Sequence, residues 1–162
     1  MGFTIREYKD TDRRALVDCM ERLQDYIVSV DPLKRVLREP RFGELYTNWL
    51  LEVMREQKGI IYFAEAEGKI VGCVSGMLPP PSLHEQAGGI PSKHGRVQEL
   101  YVDDKYRERG IGRALMKKME DYFHKNGCDA VCVEVFAPNE NAQEFYKSCG
   151  YFERDISLMK RI

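Results

Sequence analysis

Val97-Gln98-Glu99-Leu100-Tyr101-Val102-Asp103-Asp104-Lys105-Tyr106-Arg107-Glu108-Arg109-Gly110-Ile111-Gly112-Arg113-Ala114-Leu115 runs from a strand through a glycine-bearing turn straight into a helix. The strand-like run starts at Arg96. On the far side, Ile111, Leu115, Met119 and Tyr122/Phe123 recur at helical spacing until Asn126-Gly127 supplies a C-terminal stop. Between them, Arg107-x-x-Gly110-x-Gly112 sets two residues without a Cβ where the helix begins, so ligand atoms can approach the backbone. The first N–H groups of a helix lack intrahelical acceptors and sit at the positive end of its dipole, which suits phosphate oxygens. Arg107, Arg109 and Arg113 add positive charge around the turn. A P-loop is excluded, because Arg113-Ala114 follows Gly112 where Lys-Ser/Thr is needed. A dinucleotide fingerprint is excluded too, because Leu115 replaces its third glycine. Taken alone, the stretch is equally a relaxed helix start ringed by solvated arginines.

The flanking chain extends the alternation. Phe3 to Tyr8 alternates with period two and reads as a strand. Asp10 or Thr11 can cap a helix whose apolar stripe is Leu16, Cys19/Met20, Leu23 and Ile27, and Asp31-Pro32 interrupts it. Phe42, Leu45, Tyr46, Trp49, Leu50 and Val53 mark a second helix. Ile60–Glu67 and Lys69–Met77 read as a hairpin joined at Glu67-Gly68. Residues 78–93, with four prolines and a Gly-Gly pair, read as a mobile loop inserted between strands. Ala130–Val135 is a short buried strand, Glu140–Ser148 a short helix, and Ser157–Ile162 a last strand after Cys149-Gly150. The order β-α-α-β-β-β-α-β-α-β predicts one α/β domain over residues 1–162, with a mixed sheet and crossover helices.

Composition narrows the function classes. A chain of 162 residues with 43% hydrophobic and 31% charged residues is of globular type and sized for one domain. A formal charge of −1 gives no electrostatic reason to expect nucleic acid or an anionic membrane as partner. The richest apolar runs, Ile60–Ala64 and Ala130–Val135, are far shorter than the roughly 20 residues a bilayer requires. Met1 to Glu7 has no apolar signal core, so a cytoplasmic location is expected. The five cysteines (Cys19, Cys73, Cys128, Cys132, Cys149) form no Cys-x-x-Cys pair, and His84, His94 and His124 are isolated. Reduced structural thiols and no metal site are the expectation. No internal repeat is present.

On its Arg107-x-x-Gly110-x-Gly112 turn, the chain resembles the GCN5-related N-acetyltransferase (GNAT) family, whose acetyl-CoA motif is Arg/Gln-x-x-Gly-x-Gly/Ala between a strand and a helix. Glu99-Leu100-Tyr101-Val102 is similar to the family's preceding strand. The segment Asn139-Glu140-Asn141-Ala142-Gln143-Glu144-Phe145-Tyr146-Lys147-Ser148-Cys149-Gly150-Tyr151 resembles a second family motif at the usual separation. The resemblance covers nearly the whole chain. It implies a mixed central sheet of about six to seven strands flanked by about four helices, with two parallel strands splayed, those at Arg96–Val102 and Ala130–Val135. Acetyl-CoA is expected in that cleft. The strand Leu100-Tyr101-Val102 is expected to pair with the pantetheine arm through backbone groups of Leu100 and Val102. Backbone N–H groups of Arg109, Gly110, Ile111, Gly112, Arg113 and Ala114 are expected to hold the pyrophosphate, with Arg107 beside them. Asn139, or else Asn141, is expected to bond the pantetheine, the plainer reading being a helix N-cap.

The same resemblance implies roles in catalysis. An ammonium has no lone pair, so an amine must lose a proton before attacking a thioester, and the departing thiolate benefits from gaining one. Tyr146 is similar to the family's general acid; its alternative is a core aromatic beside Phe145. Glu99 is the expected base, directly or through water; its alternative is an exposed strand carboxylate. The Leu100 N–H is expected to polarise the acetyl carbonyl. A Glu99→Gln deficit is expected to be largest at low pH, where free amine is scarce, and to shrink as pH rises and the acceptor deprotonates unaided. For the acceptor, Asp18, Glu21, Asp25 and Asp31 with Tyr26 and Trp49 suggest a cationic amine, against a solvated helix face mixed with Arg13, Arg14, Lys34, Arg35 and Arg38. The expected function is transfer of acetyl from acetyl-CoA to a primary amine of a small molecule or peptide, in a homodimer. A catalytically silent acyl-CoA-binding module is the alternative, and a nucleotide-binding protein a third.

Overall fold

Ile60–Ala66 (β2) and Lys69–Met77 (β3) are apolar on both faces and form an antiparallel hairpin, because helices cover the sheet on each side. In the computed structural model, which describes residues 2–88 and 92–160, Thr4–Glu7 (β1) flanks β2. His94–Val102 (β4) flanks β3, and Ala130–Val133 (β5) joins β4 in parallel. The sheet order is β1-β2-β3-β4-β5, all antiparallel except the last pair. Arg13–Val30 (α1) and Phe42–Glu56 (α2) lie over one face. Ile111–Lys125 (α4) covers the other, and Glu140–Ser148 (α5) packs beside it.

Each face has its own core. Leu16, Met20, Leu50, Phe63 and Cys73 pack under α1 and α2, while Val74, Val97, Leu115, Met119 and Phe123 pack under α4. Neighbouring β2 residues split between them: Ile61 and Phe63 face one side, Tyr62 and Ala64 the other.

Several expectations are corrected. The described residues hold five strands, fewer than the six to seven expected. The shortfall is at the C-terminus, where residues 151–160 carry no regular structure and the remainder of the expected strand Ser157–Ile162 lies outside the described residues. An extended segment is a strand only when another edge takes its backbone hydrogen bonds, and none does here. The loop at residues 78–93 contains a short helix, Leu83–Gly88 (α3); residues 89–91 lie outside the described residues.

The stripe expected on α2 is rotated. Its buried residues are Gly43, Thr47, Leu50 and Met54, whereas Leu45 and Trp49 are exposed. Gly43 lets α2 approach α1, since a Cβ there would collide with the Glu21 side chain. That roll turns Phe42 and Tyr46 toward the cleft described next.

Candidate active site

β4 and β5 form a fork. Their parallel pairing spans only His94↔Ala130 to Val97↔Val133, and β4 then continues alone to Val102. The Asp103 N–H bonds the Val71 carbonyl, 2.8 Å, so by antiparallel alternation Leu100 and Val102 turn their backbone groups away from β3, into the gap. Gln98 is skipped in the β3–β4 register: Gly76 pairs with Val97 and Ser75 with Glu99. This bulge reverses the facing of the strand. Val97 packs with the α4 core, whereas Glu99 is aimed with Tyr101 toward α1 and α2.

A cleft of about 270 Å³ opens at the fork. Met20, Leu23, Gln24 and Ile27 of α1, with Phe42 and Tyr46 of α2, form one wall. Val133 to Phe136 form another, and Asn139, Ala142 and Tyr146 close it beside Gln98, Glu99 and Leu100. The Tyr46 hydroxyl donates to Glu99 Oε1, and Gln98 Nε2 donates to the Tyr46 oxygen, 3.4 Å. Loss of solvation pushes the Glu99 carboxyl up to about 7 despite the hydrogen bonds from Tyr46 and Gln98, which pull it down. Tyr146 is buried. Desolvation, then the charge of Glu99, raise its phenol above the ordinary value, so it stays protonated at neutral pH. Among the described residues no group bonds its hydroxyl; its ring packs edge-on against Phe145 and Tyr151, at 5.3 and 5.6 Å. Sequence reasoning missed Tyr46 as a partner of Glu99. Its helical stripe position gives a buried aromatic and no sign of which residue its hydroxyl meets.

The glycine turn sits at the open end of the fork. Gly110 has φ 79°, a left-handed conformation that a side chain resists, and it N-caps α4. The first helical hydrogen bond is Ala114 N–H to Gly110 O, 3.0 Å, leaving the N–H groups of Ile111, Gly112 and Arg113 without intrahelical acceptors. Gly112 has a packing role as well: a Cβ there would lie 3.3 Å from the Phe145 ring. The arginines are less free than the motif suggests. Arg107 pairs with Asp104 at 2.7 Å, donates from Nε to the Val102 carbonyl at 3.2 Å and lies over the Tyr26 ring. Arg113 donates to the Ser148 carbonyl and hydroxyl, both at 3.1 Å. Arg109 stacks on Tyr106, 5.1 Å from the ring centroid.

Asn139 N-caps α5, its Oδ1 accepting from Ala142 N–H at 3.1 Å and from the Tyr26 hydroxyl at 3.3 Å. It lines the cleft, whereas Asn141 is exposed and stands outside the lining. The four carboxylates suggested for an amine are engaged. Asp18 pairs with Arg14 at 3.1 Å, and Arg38 holds Glu21 at 3.5 Å and Asp25 at 2.8 Å. Asp31 accepts the backbone N–H groups of Leu33, Arg35 and Val36. Trp49 lies 5.1 Å from Tyr46, on the solvent side. Among the described residues no group of His, Cys, Asp and Glu is arranged to hold a metal ion, and no helix is long and apolar enough to cross a membrane.

Residues 21–151 match the model of the acetyltransferase (GNAT) family. An uncharacterized N-acetyltransferase of Methanocaldococcus jannaschii is 30% identical over 137 residues, which cover 80% of this chain and 56% of the relative. The chain thus spans little more than half of that protein's length. Among solved structures, the tetramutant of the BH1408 protein from Bacillus halodurans superposes with a TM-score of 0.85 at 21% identity, covering 98% of this chain and 99% of that one. AAC(6')-Iy in complex with the bisubstrate analog CoA-S-monomethyl-acetylneamine gives 0.67 at 16% identity, covering 100% of both chains. At such identities these structures share the fold.

Proposed function

The chain belongs to the GNAT acetyltransferase family, and on that premise we propose that it transfers the acetyl group of acetyl-CoA to a primary amine by direct attack in a ternary complex. The observation that carries this reading is the pair Glu99 and Tyr146, set in one cleft at the stretch of β4 that pairs with β3 but not with β5. The Leu100 backbone groups, facing the gap, suit the pantetheine arm as an added strand. The Gly110 turn and the opening N–H groups of α4 suit the pyrophosphate, and Asn139 keeps an amide N–H₂ for the arm. Arg107 now occupies the Val102 carbonyl, so pairing at that residue requires the guanidinium to move off it.

In the reaction, Glu99 takes a proton from the ammonium, directly or through a water, and the amine nitrogen attacks the thioester carbon. The C–N bond forms, and the Leu100 N–H holds the carbonyl oxygen as charge builds on it. The C–S bond then breaks. Tyr146 supplies a proton to the leaving sulfur, and the nitrogen's second proton returns to the phenolate, directly or through a water, giving the amide and free CoA thiol. The same reading takes residues 1–162 as one catalytic domain in the cytoplasm. It also includes a homodimer, supported by Phe152, Ile156, Leu158 and Met159, which stand exposed along the C-terminal segment.

The test follows CoA thiol release from acetyl-CoA with and without amines, beside calorimetry of acetyl-CoA. Amine-dependent release, with the amide seen by mass spectrometry, is the expected result. Tight acetyl-CoA binding with no turnover on any amine would leave the silent binding module instead.

A further inference from the structure

The cleft carries information about the acceptor, an inference that rests on the acetyl-transfer reading above. Its two long walls differ. The β4, β5 and α5 wall holds Leu100, Asn139 and Tyr146, the groups assigned to the thioester. The opposite wall, from α1 and α2, is mostly apolar and aromatic, with Met20, Leu23, Ile27, Phe42 and Tyr46; its one amide, Gln24, donates to the Leu37 carbonyl at 2.9 Å. The rings of Phe42 and Tyr46 stack 5.2 Å apart at 14°, presenting a flat edge to the cavity.

Charge is the second observation. Among the described residues no lysine, arginine or histidine lines the cleft, and its carboxylates are Glu99 and Glu134. Glu134 is 83% exposed and pairs with Arg96 at 2.7 Å. Glu99 has only neutral partners, Tyr46 and Gln98, with the Tyr146 phenol and the Cys73 thiol as its other titratable neighbours. The acidic residues of α1 and of the turn after it are paired with arginines or consumed by backbone N–H groups. One carboxylate therefore remains for one ammonium.

Size is the third. A cleft of about 270 Å³ is below the roughly 300–1,000 Å³ of pockets that enclose drug-sized ligands, and the acetyl end of the thioester shares it. We propose that the acceptor is a small monoamine whose single ammonium meets Glu99 and whose body is an apolar chain or ring lying on Leu23, Ile27, Phe42 and Tyr46. A polyamine would bury a second cation against this wall without a counter-charge, and a polyhydroxy amino sugar would bury hydroxyls without partners.

The experiment compares kcat/KM at saturating acetyl-CoA for 2-phenylethylamine, n-hexylamine, spermidine, glucosamine and an N-terminally blocked lysine peptide. The two apolar monoamines should exceed the other three by tenfold or more. Leu23→Asp, which sets a second carboxylate in the wall, should shift the spermidine-to-hexylamine ratio toward spermidine by at least tenfold. Phe42→Ala, at the half-buried start of α2, should lower kcat/KM for 2-phenylethylamine several-fold, chiefly through a higher KM. Preferred turnover of spermidine, glucosamine or the peptide overturns this assignment and leaves acetyl transfer standing, as does an unmoved ratio in folded Leu23→Asp with an unmoved kcat/KM in Phe42→Ala. Turnover of none of the five, with acetyl-CoA bound, removes the acetyl-transfer reading and this one with it.

Discussion

Glu99 gives up solvation to sit beside Tyr46, and its carboxyl is pushed to about 7 as a result. A base must be unprotonated, so kcat/KM should climb with pH through that region. The expectation of a deficit largest at low pH, drawn from the scarcity of free amine there, changes once the base itself is protonated at low pH. Below about pH 6 wild-type Glu99 is already protonated, so the Glu99→Gln deficit should be small there and widest near pH 7 to 8, and a pH–rate profile of both proteins checks it. Stability moves the opposite way. A folded-state pKa above the unfolded 4.5 means that the folded chain holds an extra proton between about 4.5 and 7. That contribution is present at low pH and is lost as pH rises through 7. Glu99→Gln should therefore be the more stable protein at pH 8, by about 3 kcal/mol, read as a higher denaturation midpoint that converges with wild type near pH 4. Tyr146→Phe keeps the packing against Phe145 and Tyr151 and removes only the proton source. Turnover should fall about 100-fold, the lower end for general acid catalysis, with acetyl-CoA affinity by calorimetry unchanged. Full turnover in that variant, where chemistry limits the rate, would make Tyr146 a core aromatic only.

At the scale of elements, the α4 start shows how one residue serves two surfaces. Gly112 presents its backbone toward the anion site while its missing Cβ leaves room for the Phe145 ring of α5. Gly112→Val should lower the melting temperature as well as weaken acetyl-CoA binding at least tenfold, because the branched side chain drives α5 away from α4. Calorimetry on folded protein with wild-type affinity would detach this turn from the cofactor. The helix itself was legible in the spacing of Ile111, Leu115, Met119 and Phe123, all buried. The α2 stripe was legible only in part. Phe42 and Tyr46 are apolar because they border a cleft, and periodicity cannot tell a cleft wall from a core. The bulge at Gln98 left no trace in composition, since it depends on how β3 registers against β4.

For the whole molecule, the alternation of strands and helices was enough to anticipate a mixed sheet with helices on both faces, because each apolar run needs a partner layer. It was not enough to anticipate the C-terminus. A period-two pattern such as Ile156-Ser157-Leu158 says that a segment can be a strand, and pairing depends on an edge elsewhere. Leu158 is 91% exposed and Phe152 85% exposed, an arrangement that favours self-association. Light scattering at micromolar concentration should give twice the 18.8 kDa chain mass, and a monomer mass would refute the dimer. The fork between β4 and β5 has a consequence beyond catalysis. A slot between β4 and the edge strand β5 lends part of the sheet's cohesion to whatever fills it, so on the proposed binding of CoA, resistance to unfolding should rise with CoA concentration. At a CoA concentration 100 times its dissociation constant the added stability is about 2.7 kcal/mol, and amide exchange at Leu100 should slow in step.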